Sequence, residues 1–279
     1  MEISIRTMAR DELETAVEWA AREGWNPGLD DAGAFFAADP EGFLLAERGG
    51  EIVGSISAVK YGADFGFVGF YIVRPELRGH EIGWRLGERA LDRLQGRSIG
   101  IDGVLGKQRQ YEKFFGFEFA YRNIRFGGAV EATASSTDIV PVRDVAFDEV
   151  LRYDRLHFPA SREAFLRAWL ATPHSRGLAC VREGRLRGYG VIRECREGFK
   201  IGPLFADDPE IAEALFLSLC EGTARRPVFL DTPEVNEMAV AMAQRHGMRE
   251  VFATARMYRG TFPALPLQRI FGVTTFELG

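Results

Sequence analysis

Cysteine is scarce in this chain. Cys180, Cys195 and Cys220 lie far apart, form no C-x-x-C pair and leave the first half with none. A disulfide framework and a thiolate zinc knot are both excluded, and the plain expectation is buried free thiols in a reducing cytoplasm. Histidine is scarce too: His80, His157, His174 and His246 show no metal-ligand spacing, so no metal is expected. No block of Lys or Arg stands out and the formal net charge is -5, which argues against nucleic acid or an anionic membrane as a partner. No apolar run approaches the roughly 18 residues needed to span a bilayer. Met1 to Arg6 reads as a strand and not as a signal peptide.

What is present is ordinary globular composition, 46% hydrophobic and 27% charged over 279 residues, with room for two domains of about 140 residues. The chain reads as two copies of one unit. Leu44 to Gly54 and Ala179 to Gly188 are both alternating strands around a tight Gly turn, a hairpin signal. Gly116 to Gly127 is matched by Gly247 to Gly260. The polar run from Gly127 to Asp138, including Ala134-Ser135-Ser136-Thr137, reads as the linker between units 1–130 and 139–279. In the first copy, helices are expected near 11–22, 30–38, 84–94 and 107–114, with strands at 3–7, within 43–73, at 99–104 and at 117–126. The second copy repeats this order, and its tail, 262–279, is apolar enough to pack back on the body.

The most informative stretch joins the strand-like run Phe65–Val73 to the amphipathic helical run Trp84–Leu94. It reads Val73-Arg74-Pro75-Glu76-Leu77-Arg78-Gly79-His80-Glu81-Ile82-Gly83. The first N–H groups of a helix have no internal partner and lie at the positive end of its dipole, so they bind an anion such as a phosphate. The alternative is an ordinary strand–helix turn with an exposed Arg. In the second copy the corresponding loop is Ala206-Asp207-Asp208-Pro209-Glu210. Three carboxylates and a proline without an N–H cannot do the same work.

The Val73-x-Pro75…Arg78-Gly79-x-x-Ile82-Gly83 loop and the order of elements resemble the GNAT N-acetyltransferase superfamily. Tyr111-Glu112-Lys113-Phe114-Phe115-Gly116-Phe117 is similar to that family's Tyr-Glu-Lys-x-Gly-Phe ending. The second half resembles the degenerate partner domain of tandem GNAT proteins. The resemblance implies an α/β fold with mixed sheets: two tandem units, each a mostly antiparallel twisted sheet with helices on both faces. It also implies acetyl-CoA as co-substrate. Two departures stand out. Glu81 replaces the motif's middle glycine, and one extra residue separates Tyr111 from Gly116-Phe117.

The resemblance implies a role for each residue. Arg78, Gly79, His80, Glu81, Ile82 and Gly83 would wrap the pyrophosphate, and the pantetheine arm would lie between splayed strands 65–73 and 99–104. Gly69 would mark a bulge that opens the gap, or a point of close packing. An N–H at Ile72 or Val73 would bind the acetyl carbonyl. Tyr111 would give a proton to the departing thiolate, or is a packing tyrosine. Asp102 is the candidate base, or a structural Asp before Gly103. Trp25 and Asn26 would shape the acceptor pocket, or make a helix–helix turn. Tyr71 joins the pocket, or packs in the core. With no cysteine in the first half, transfer to a primary amine of a small molecule would be direct. A monomer or homodimer is expected. The rival class is a non-catalytic acyl-CoA-binding or scaffold protein. Transfer from a charged tRNA, a third reading, requires a basic face that the acidic balance opposes.

Overall fold

A computed structural model describes residues 2–131 and 138–279. The first copy runs β1 (Ile3–Thr7), α1 (Leu13–Arg22), α2 (Asp31–Ala38), β2 (Phe43–Arg48), β3 (Glu51–Tyr61), β4 (Phe65–Val73), α3 (Glu81–Arg93), β5 (Ser98–Val104), α4 (Gln108–Phe115) and β6 (Glu118–Gly128). The second runs β7 (Ile139–Pro141), α5 (Phe147–His157), α6 (Glu163–Leu170), β8 (Ser175–Arg182), β9 (Arg185–Glu194), β10 (Phe199–Ala206), α7 (Pro209–Cys220), β11 (Val228–Pro233), α8 (Glu237–Arg245), β12 (Arg249–Arg259) and β13 (Ile270–Gly272).

Local chemistry accounts for the boundaries. In α1, Leu13, Ala16, Val17 and Ala20 are buried, the spacing of a single helical face. The β2–β3 turn uses Gly49 and Gly50 at φ 64 and 84, the backbone that a tight hairpin requires and side chains resist. α4 ends on Gly116 in the left-handed conformation, φ 67. The expected linker is shorter than 127–138, because Gly127 and Gly128 belong to β6. Its Ala134-Ser135-Ser136-Thr137 core lies outside the described residues.

The two copies do not form separate sheets. Twelve strands run in the order β1-β2-β3-β4-β5-β12-β6-β11-β10-β9-β8-β7, and β13 pairs with β10 off that path. The last strand of each copy is exchanged. β12 enters between β5 and β6, and β6 lies between β12 and β11. Similar sequences offer similar slots, so each closing strand fits the other copy's edge. Helices cover both faces. One core joins α1, α2, α5 and α6 across the copies, a second lies under α7 and α8, and a third lies under α3.

Three buried ion pairs also cross between the halves: Asp31–Arg193, Asp102–Arg256 and Arg125–Asp231. The tail packs back as expected and goes further. Ile270–Gly272 adds a strand, and residues 270–279 are all buried.

Candidate active site

The site begins where two neighbouring strands part. β4 and β5 pair in parallel from Phe65↔Ser98 to Val68↔Ile101 and no further. The cause is a bulge in β4. Opposite β3 the register slips between Ser55↔Ile72 and Ser57↔Gly69, and Phe70 takes φ 46, a conformation that costs a non-glycine residue strain. The Ser55 hydroxyl donates to the Phe70 carbonyl at 2.8 Å and so satisfies the carbonyl at the bulge. Gly69 answers both earlier readings. It sits in the bulge, and a Cβ there would lie 2.0 Å from the Glu277 carbonyl oxygen.

Beyond the bulge, backbone groups of β4 face the gap. The Arg74 N–H donates to Val53 O across the β3 ladder at 3.1 Å. Antiparallel alternation therefore turns the Ile72 N–H toward β3 and the Val73 N–H toward the gap. Of the two amides, Val73 is the one available for an acyl oxygen.

The loop after β4 contains a short 3-10 turn, Pro75–Leu77, and Gly79 at φ 84. α3 then starts at Glu81, three residues earlier than the amphipathic run suggested. His80 precedes it in extended conformation and its side chain caps nothing. The helix start is thus without a side-chain cap. His80 and Glu81 are exposed, which gives the Glu81 carboxylate access to water. Arg78 is tied down, with Nε donating to Val73 O at 2.9 Å and Nη2 to Glu23 Oε1. Gly83 is braced from below by the Tyr71 hydroxyl, which donates to its carbonyl.

A narrow cavity of about 40 Å³ passes between the parted strands. Trp25, Tyr71, Asp102 and Tyr111 line it, as do Phe252, Thr254, Phe276 and Glu277. Tyr71 and Tyr111 belong to the core under α3, whereas Trp25, Phe252 and Phe276 pack on the opposite face. The cavity is therefore walled from both sides of the sheet. The Tyr111 ring lies on Gly103, where a Cβ would stand 2.5 Å from its Cε2. Burial pushes the Tyr111 phenol up to about 12, against the opposing pull of the Val104 backbone. It stays protonated across neutral pH.

Two candidates are engaged elsewhere. Asp102 reaches the cavity, but Arg256 binds its carboxylate with two bonds, at 2.8 and 2.6 Å, and Asn123 Nδ2 donates at 2.8 Å. Such a locked carboxylate is a strut between β5 and β12. The Asn26 side chain is not in the cavity wall. Its amide exchanges bonds of 2.9 Å with the backbone of Glu197 and latches the loop to the second half. Trp25 does reach the cavity, and its carbonyl accepts from Arg125 Nη1 and Lys200 Nζ. Phe252, Thr254, Phe276 and Glu277 are absent from the sequence reading. All four come from the second half, and only their pairing and packing across the sheet bring them here.

The second half shows what the first has kept. β10 and β11 also pair in parallel and part after Ile201↔Leu230. There the gap is filled by the chain itself. β13 pairs with β10 at Leu204 and Phe205, and the Val273 N–H donates to Asp231 O at 2.8 Å. The start of α7 is closed as well, since Asp208 accepts from the Ile211 N–H at 2.9 Å. Among the described residues no cluster of His, Cys, Asp and Glu could hold a metal, and no helix is long and apolar enough to cross a membrane.

Known proteins share this fold. Residues 8–117 match the Acetyltransferase (GNAT) family and residues 150–272 match the Acetyltransferase (GNAT) domain. The chain belongs to the GNAT acyltransferases, of the tandem-domain type. It is 31% identical over 271 residues to the holothin acyltransferase of Pseudoalteromonas sp. (strain SANK 73390), covering 96% of this chain and 92% of that one. A Pyrococcus horikoshii structure assigned to the acetyltransferases superposes with TM-score 0.85 at 24% identity, over 99% of this chain and 96% of that one. A tandem GNAT protein from the clavulanic acid biosynthesis pathway gives TM-score 0.65 at 16% identity, over 94% of this chain and all of the other (100%).

Proposed function

We propose that this acyltransferase moves an acetyl group from acetyl-CoA to the primary amine of a small molecule by direct attack. The observation that carries this reading is three neighbouring features, an uncapped helix start, a parted strand pair and a protonated tyrosine in the gap, with Tyr71 lining the gap and donating to Gly83 at the helix start. The α3 amides and the loop 78–83 would hold the pyrophosphate. The free edge of β4 would pair with the pantetheine amides as an added strand does. The Val73 N–H would stabilise charge on the acyl oxygen. Tyr111 would give its proton to the departing thiolate. The aromatic wall of Trp25, Phe252 and Phe276 favours a flat, largely apolar acceptor, and the holothin named for the relative belongs in the first amine panel.

Calorimetry with acetyl-CoA, followed by thiol release across that panel, tests the proposal. Binding at one site per chain with turnover on at least one amine is expected. Tight binding without turnover on any amine would make this a CoA-binding protein, the reading that Glu81 and the tied-down Arg78 favour.

A further inference from the structure

On the acetyl-CoA reading, the loop 78–83 and the parted strands take the diphosphate and the arm of the cofactor and leave its adenosine end unplaced. The surface beside the loop carries two open rings. Trp84 follows Gly83 in the first turn of α3 and is 43% exposed, and Phe114, near the end of α4, is 49% exposed. The other three tryptophans, Trp19, Trp25 and Trp169, are half-buried or buried. Rings left this open in water contribute little to folding, so a pair of them side by side calls for a reason.

The pair is braced from within. Phe115 stacks on Trp84 with ring centres 5.4 Å apart and planes 22° apart, and Phe114 meets Trp84 at 5.9 Å and 87°. Phe115 is itself wedged against Gly87, where a Cβ would lie 2.4 Å from its Cζ, and it meets Tyr71 at 6.3 Å. Tyr71 lines the cavity and donates to the Gly83 carbonyl, so cavity, helix start and ring pair adjoin one another. Two phenylalanines stand before Gly116 where the family's motif has one residue. Phe115 props Trp84, and Phe114 is left facing water. The local charge suits a phosphate. The chain is acidic as a whole, yet residues 107–115 carry Lys107, Arg109 and Lys113 against Glu112 alone. The three cationic side chains make no ion pair or hydrogen bond among the described residues, and Lys113 Nζ stands 5.3 Å from the centre of the Phe114 ring.

We propose that Trp84 and Phe114 form the platform on which the adenine of the cofactor stacks, with Lys113 and the cations beside it facing the phosphate on its ribose. Every purine has a flat π face, and stacking on an aromatic side chain with a cation alongside is how proteins hold such a base at an open surface. Trp84 lies about 5 Å along the helix axis from the first amides of α3. A ribose bridges that span from a diphosphate held at those amides.

The test is calorimetry with acetyl-CoA and with acetyl phosphopantetheine, which lacks the adenosine, on wild type, Trp84→Ala, Trp84→Phe and Phe114→Ala. Wild type should bind the truncated thioester at least about tenfold more weakly than acetyl-CoA. Trp84→Ala should weaken acetyl-CoA by about tenfold, while Trp84→Phe, which still offers a ring, keeps most of the affinity. Phe114→Ala should act in the same direction as Trp84→Ala, and since it removes only an exposed ring it carries the comparison if Trp84→Ala unfolds. Toward the truncated thioester the variants should match wild type. Undiminished acetyl-CoA affinity in a folded Trp84→Ala, or both ligands weakened alike, would overturn the platform and leave the loop as the cofactor site. A dimer in sedimentation that Trp84→Ala splits would give the rings to a second copy of the chain and overturn it too. If wild type binds no acetyl-CoA, the platform falls together with the acetyl-CoA reading.

Discussion

Tyr111 and Glu277 reach the same cavity from opposite faces of the sheet, and each has its own test. Tyr111→Phe is expected to lower kcat by about 100-fold, with acetyl-CoA affinity nearly unchanged by calorimetry. Wild-type turnover would remove the phenol from the chemistry. Glu277 should also mark the pH dependence of stability. Its folded affinity for protons exceeds that of the unfolded chain, so the ionised form destabilises the native state. That cost is full above the folded pKa and vanishes below the unfolded one. Glu277→Gln should therefore raise the unfolding temperature at pH 7.5, and the gain should shrink toward pH 4; a loss at pH 7.5 would contradict it. Gly69→Ala drives a methyl into the Glu277 backbone and should cost about 1–3 kcal/mol in denaturant unfolding. Tyr111 and the loop were legible in the sequence because a local motif carries them, and Trp25 and Tyr71 because of their places in a helix–helix loop and on a central strand. Glu277, Phe276 and Phe252 were not. Nothing near them in sequence tells that they face a strand from the other half.

At the scale of elements, the two copies differ in one helix start. α3 opens without a side-chain cap, while α7 opens on Asp208, which accepts from Ile211 N–H. Gly83→Asp should weaken acetyl-CoA binding by about tenfold or more, because a carboxylate enters the positive helix end. Unchanged affinity would move the cofactor elsewhere. Asp208→Ala should cost about 1 kcal/mol of stability and leave acetyl-CoA affinity as it was, since the proposed cofactor site lies in the first half. The sequence showed the contrast between the loops plainly. It did not show β13. An apolar tail pattern says that a segment will be buried, yet which gap it fills depends on where β10 and β11 part. The ties that hold the base candidate Asp102 were hidden for a similar reason. Its partner Arg256 lies on β12, and only strand exchange brings it across from Asp102.

For the whole molecule, the exchanged strands join two repeats into one sheet, and three buried ion pairs each take one partner from either half. Repeats bound this way should unfold together. The gaps between their parted strands, however, remain unequal. One is open, and the other is filled by residues 270–273. The most direct measurement of that asymmetry is hydrogen exchange with and without acetyl-CoA. Protection is expected at the backbone amides of residues 71–73 and 79–84, with none gained at 203–212 or 231–233. Protection confined to the second set, or equal in both, would contradict the central claim that only the first half holds the cofactor.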